Sequence, residues 1–199
     1  MKYGEKIREI RISKGLSQKE VYWGILSKSY AIEFEKGKHN ISAVLLIAIL
    51  EQLFMDIDEF MYIYEAYHLN ERSEYIERYA KYSNSHDLPG LYELLHELEQ
   101  KDSYANTVRK AEVRSKIKII SNINETGIYD AAVVDKEDRR IIIRHLSNLG
   151  TWTLQEIQLY TNTLELIDFE TQLIFFKRIS KTFLLYENFE PAREIFCSY

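Results

Sequence analysis

The chain has 199 residues, a formal net charge of −5, two prolines, seven glycines and one cysteine. That length buries a sizeable core in one or two domains, and the scarcity of proline and glycine points to an all-α protein with short connections. The lone Cys197 excludes an internal disulfide framework, no apolar run is long enough to span a membrane, and Lys2, Glu5, Lys6 and Arg8 leave no signal-peptide pattern, so a cytoplasmic protein is expected.

Taken in order, the first helix is expected from about Gly4 to Lys14, with Ile7 and Ile10 facing a core. Ser17 is a good N-cap, and Glu20 completes a capping box. The helix they open is short, because Gly24 interrupts it. Ser27 caps a second helix over about Lys28 to Lys36, and Gly37 suits the left-handed position beyond it. Two short capped helices joined by a tight Gly-containing connection form the pattern of a helix-turn-helix, whose second helix enters the DNA major groove. Val21, Ile25 and Phe34 read as core; of Tyr22 and Trp23, one should pack inward. Charge follows the same division. Residues 1–40 carry nine Lys or Arg against five Glu, whereas residues 41–66 carry five acids and no Lys or Arg. The basic end is the one suited to phosphate.

Ser42 caps a helix to about Phe54 that is apolar nearly all round. Such a helix is deeply buried or lies at an interface, and a dimer contact is the expected second face. A short helix from Asp56 or Asp58 through Phe60 closes the first domain, residues 1–66. Met61 to Tyr64 are expected to lead without a flexible linker into the second domain, residues 67–199. There the pattern is helix after helix. Tyr75, Tyr79 and Tyr82 mark one, Leu88 to Leu98 the next, and Val108, Ala111, Val113, Ile117, Ile119 and Ile120 a third ending before Gly127. Ile141 to Leu149 form a fourth, and Thr153 caps a fifth. Asp168 caps a longer one with Phe169, Leu173, Phe176, Ile179 and Phe183 on a single face. Pro191 opens a last helix. Pairs of this size suggest a degenerate tetratricopeptide-like antiparallel array, although no 34-residue self-similarity is present.

The stretches Arg11-x-x-x-Gly15-Leu16-Ser17-Gln18-x-x-Val21 and Phe34-Glu35-Lys36-Gly37, with the apolar run from Ile41 to Leu53, resemble the lambda-repressor-like (XRE) helix-turn-helix domain. The opening Met1 to Arg8, Ser27 to Lys38 and Asp58-Glu59-Phe60 narrow the resemblance to the Rgg/GadR/MutR family of bacterial transcriptional regulators. The resemblance implies a five-helix DNA-binding domain followed by a tetratricopeptide-like domain that dimerises and binds a short signalling peptide on its concave face. It implies a structural ion pair between Arg11 and Glu35, and a phosphate contact from Gln18. The DNA-facing set is Ser27, Lys28, Ser29, Tyr30, Glu33, Lys36 and Lys38. Within it Lys28, Ser29 and Glu33 match positions that reach base edges, where Lys28 suits guanine O6 and N7 and Glu33 suits cytosine N4. Lys36, Lys38 and His39 approach phosphates. Many relatives carry a basic residue where this chain has Glu33, and its alternative role is to pair with Lys36 or Lys28. Asn122, Asn148, Asn162 and Asn188 are candidates for pairing with a peptide backbone, each with a cap or turn as the alternative. Relatives usually continue for several more helices, so the groove is expected to be incomplete.

The chain contains no P-loop, GxGxxG, GxSxG or HExxH pattern. The five histidines are scattered without metal-type spacing, so neither a metal nor another cofactor is expected. The carboxylates read mainly as solvated helix faces, and an enzyme has no positive support. The leading reading is a dimeric regulator bound to double-stranded DNA at a near-palindromic operator. The competing one is a protein-interaction module, antitoxin-like or a truncated regulator.

Overall fold

A computed structural model describes residues 2–189 and Ala192, and the described residues form helices without strands. The chain divides into two compact units, Met1–Glu74 and Tyr75–Tyr199. The division falls inside a helix, some residues beyond the Tyr67 boundary expected from sequence.

The N-terminal unit holds α1 (Tyr3–Ser13), α2 (Gln18–Tyr22), α3 (Lys28–Glu35), α4 (Ala43–Gln52) and α5 (Ile57–Tyr64). Their starts are set locally. The Ser17 Oγ accepts from the Glu20 amide while Glu20 reaches back to the Ser17 amide. Ser27 and Ser42 cap α3 and α4 in the same way, through the amides of Tyr30 and Leu45. Ile7, Ile10, Val21, Tyr22, Phe34, Ile49, Leu50, Leu53 and Phe60 build the core. Gly4 lets α1 press against α3: a Cβ there would lie 1.8 Å from the Phe34 carbonyl oxygen. Gly37 ends α3 with φ +69°, where a side chain would also meet Glu5. The expected continuation through Met61 to Tyr64 stops at Tyr64. Ala66 and Tyr67 take left-handed backbone, which breaks the helix before α6 begins at Glu71.

The C-terminal unit takes most of α6 (Glu71–Asn84), then α7 (Leu88–Glu99), α8 (Tyr104–Thr126), α9 (Lys136–Asn148), α10 (Leu154–Asn162) and α11 (Phe169–Tyr186). Short 3-10 turns lie at Ala131–Val133 and Leu164–Leu166. The long α8 serves two clusters. Val113, Ile117 and Ile120 pack with Tyr75, Tyr79, Leu91, Leu94 and Leu98 of α6 and α7. Val108, Ala111 and Ile119 pack with residues of α9, α10 and α11 around Trp152.

The face of α11 differs from expectation. Phe175, Ile179 and Thr182 are buried, while Phe169, Leu173, Phe176 and Phe183 are exposed and line an open groove. The helix is apolar on most sides, so spacing alone does not choose the core face. The contacts of Phe175 with Trp152 and Tyr160 choose it. The helix expected from Pro191, and Cys197, lie outside the described residues.

Candidate functional site

Glu35 sits at the end of α3 and is buried. Its Oε1 accepts from Arg11 Nε at 2.6 Å and from the Tyr22 hydroxyl at 2.8 Å. Its Oε2 accepts from Arg11 Nη2 at 2.9 Å and from Gln18 Nε2 at 2.7 Å. Four donors fill the roughly four lone-pair positions of a carboxylate. The structure thus brings Arg11 and Glu35 together, and adds Gln18 and Tyr22 to them. Burial alone would raise the Glu35 pKa, but the donors outweigh it and hold the carboxyl below its usual range. The same carboxylate raises the Arg11 pKa, chiefly by accepting its hydrogen bonds, and Arg11 Nη1 also holds the Leu16 carbonyl. α1, α2 and α3 are therefore locked to one another from inside. In this state the half-buried Gln18 amide donates to Glu35.

The outer side of α3 is open. Ser27, Lys28, Ser29 and Tyr30 are exposed at its N-terminal end. Ser27 is committed to capping, and the Tyr30 hydroxyl donates to the Asn40 carbonyl while its ring stacks on His39. Tyr30 therefore ties the helix to the following loop. Lys28 has no anionic partner among the described residues. Glu33 has two cations: Lys36 Nζ at 2.9 Å and Lys38 Nζ at 2.7 Å. Their hydrogen bonds, Lys38 first, hold its carboxyl down at about 2. Of the alternatives open in the sequence, the pairing is with Lys36 and, in addition, Lys38. Tyr22 packs inward, and Trp23 stands 77 % exposed with Lys19 over its ring. Trp23 borders a cavity shared with Gln18, Ser27 and Lys28, and so flanks the same surface.

The four asparagines are not gathered. Asn122 donates to the Ile128 carbonyl and closes the turn after α8. Asn148 is exposed at the end of α9, and Asn188 is exposed in a turn after α11. Asn162 lines a cavity, where its Nδ2 donates to Glu112 Oε1 at 2.7 Å.

Residues 7–60 match the helix-turn-helix family model. Residues 92–199, more than half of the chain, match the model described as HTH-type transcriptional regulator Rgg, C-terminal domain. The chain belongs to the Rgg family. Among solved structures it is similar to a Listeria monocytogenes EGD-e protein described as a transcriptional regulator, at 36 % identity and TM-score 0.90, over 98 % of this chain and 65 % of that one. It shares its fold with the Streptococcus dysgalactiae SHP pheromone receptor Rgg2, at 24 % identity and TM-score 0.66, over 89 % of this chain and 59 % of that one. The fold also matches PrgX in its complex with cCF10, at 19 % identity and TM-score 0.58, over 87 % and 60 % of the two chains. The Rgg-family chain thus spans 65 % of the length of the Listeria protein and less of the other two.

Sequence reasoning on this Rgg-family chain missed Tyr22 as a donor to Glu35 and missed Glu112 altogether. Tyr22 had a signal, since a buried tyrosine needs a partner for its hydroxyl. Glu112 had none: flanked by Arg109, Lys110, Arg114 and Lys116 it reads as part of a solvated charged face, yet it is 4 % exposed. The described residues contain no group of three or more His, Cys, Asp or Glu placed to hold a metal.

Proposed function

We propose that this chain is a cytoplasmic, dimeric regulator that reads a near-palindromic operator with α3 and is controlled by a short signalling peptide. In this reading residues 1–66 bind DNA, and residues 67–199 dimerise and sense the peptide. The observation that carries it is the open N-terminal end of α3, with Lys28 free of any anionic partner among the described residues, mounted on an internally ion-paired scaffold. Gln18, Lys36 and Lys38 serve phosphates, Lys28 and Ser29 serve base edges, and Glu33 accepts from cytosine. Val44 and Ile47, exposed on α4, support the dimer contact. Two α3 helices one helical turn apart, about 34–36 Å, would match a palindrome. The pheromone receptor and the peptide complex among the fold neighbours support peptide control.

The test is binding to labelled DNA from the upstream region of the gene across a salt series, beside scrambled DNA of equal length. Tighter binding to the native site, weakening steeply with salt, is expected. Lys28→Ala should cost about 1–3 kcal/mol on the preferred site and relax preference at one base position. Lys38→Ala should weaken all sequences alike and lower the salt slope by about one. Equal losses on every site for both variants would sink this division of labour.

Glu33 supports a second reading, an interaction module that does not read DNA, because it already pairs with both Lys36 and Lys38 and offsets one of their two charges. Glu33→Gln decides between them. If α3 faces DNA, the two lysines are released to phosphate: affinity rises on native and scrambled DNA, more at low salt, and discrimination falls. An unchanged, salt-insensitive signal from a monomer favours the interaction module.

A further inference from the structure

Three Asp or Glu side chains are buried among the described residues, and two of them have a guanidinium partner. Glu35 takes Arg11, and Asp138 takes Arg114. Glu112, in the middle of α8, forms no ion pair with any described residue. Lys116, one turn on, is held by Glu165 at 3.0 Å. Arg109, one turn back, lies over the Tyr75 ring at 4.8 Å and reaches Asn106 Oδ1. Glu112 accepts instead from two neutral donors on neighbouring helices. The Tyr75 hydroxyl of α6 lies 2.6 Å from Oε2, and Asn162 Nδ2 of α10 lies 2.7 Å from Oε1. Burial raises the Glu112 pKa against the pull of those donors. Lys116 and Arg109 favour its charged form from nearby without pairing with it directly. A buried carboxylate without a directly paired cation costs stability, and locally unfavourable choices of this kind concentrate at functional sites.

Glu112 lines a cavity of about 170 Å³ between α6, α8 and α10. That space suits the end of one side chain or a chain terminus. Each Glu112 oxygen has one donor and room for another. The other charged groups on the wall are occupied. Arg109 is stacked, and Glu156 accepts from the amide and hydroxyl of Thr153 with His145 beside it. The hydroxyl of Tyr79, also on the wall, is buried and has no hydrogen-bond partner in bonding geometry among the described residues.

We propose that this cavity is a recognition subsite for a cationic group, the ammonium or guanidinium of a peptide N-terminus, lysine or arginine, with Glu112 as its counter-ion. The proposal rests on the reading of residues 67–199 as peptide-sensing. A cation here completes the ion pair that Glu35 and Asp138 already have. It also ties together α6, α8 and α10, the first helices of three successive pairs, through Tyr75, Glu112 and Asn162.

The experiment selects binders from pools of short random peptides, one with free and one with acetylated N-termini, on the full chain and on Glu112→Gln. Glutamine keeps both contacts, since its carbonyl accepts from Asn162 and its amide donates to the Tyr75 hydroxyl. Binders should carry a basic side chain in both pools, or come only from the free pool if the N-terminus is the ligand. Acetylating the amine or removing the basic group should weaken binding about tenfold or more, and Glu112→Gln should lose a similar factor while melting no lower than the parent. The loss on acetylation needs no substitution, so an unstable variant leaves the test decisive. Binders lacking a basic group, or bound equally by Glu112→Gln, overturn the subsite and leave peptide sensing standing. Pools that yield no binder overturn peptide sensing and the subsite with it.

Discussion

Replacing Glu35 with alanine is expected to destabilise the N-terminal unit by about 3–5 kcal/mol and to abolish DNA binding with it. The side chain is 3 % exposed, and its removal strands the Arg11 guanidinium, the Tyr22 hydroxyl and the Gln18 amide together. An uncompensated buried charge dominates that loss. Arg11→Met should cost less than Glu35→Ala, because Glu35 then keeps two neutral donors and can protonate. The pH dependence has a definite sign. The Glu35 pKa is depressed from its ordinary value of 4.5, so the stability it contributes is present above that value. It is lost as pH falls through the depressed folded value. The fall in stability of the N-terminal unit with acid, followed by calorimetry across a pH series, should therefore be shallower in Glu35→Gln. A loss below about 1 kcal/mol for Glu35→Ala would mean that the network is no more than an exposed pair.

Trp152→Ala should cost the C-terminal unit about 3–5 kcal/mol. The indole is 1 % exposed and packs against Phe175 and Tyr160, with ring centroids 5.0 and 5.6 Å away. Its Nε1 donates to the Leu146 carbonyl at 3.0 Å, an oxygen that also accepts from Arg178. Arg178 remains after the substitution, so the cavity and not the hydrogen bond sets the loss. Trp152→Phe should recover part of it. Scanning calorimetry resolves the effect, because the transition of the N-terminal unit should stay in place. A shift of both transitions by the same amount would show that the units unfold as one.

The sequence was legible wherever the interaction is local. The caps at Ser17, Ser27 and Ser42 act over three residues, and all three open helices. The left-handed end at Gly37 and the interruption at Gly24 follow from glycine alone. The Arg11 and Glu35 pairing is long-range, and it was available only through the resemblance to helix-turn-helix domains. Gln18 marks where that route ends. The resemblance implies a phosphate contact for it; in the DNA-free chain its amide also donates to Glu35, a contact the resemblance did not supply.

What the sequence determined by itself is the all-helical class, the helix-turn-helix at the N-terminus and the basic charge concentrated there. Periodicity, caps and charge are properties of neighbouring residues, so they survive without knowledge of the fold. The tertiary structure decided which side of α11 is core, which of Tyr22 and Trp23 turns inward, and that Glu112 is buried. Each of these depends on what another helix presents across the contact. Apolar residues on several sides of one helix, or a glutamate among lysines and arginines, are equally compatible with core and solvent until the partner surface exists.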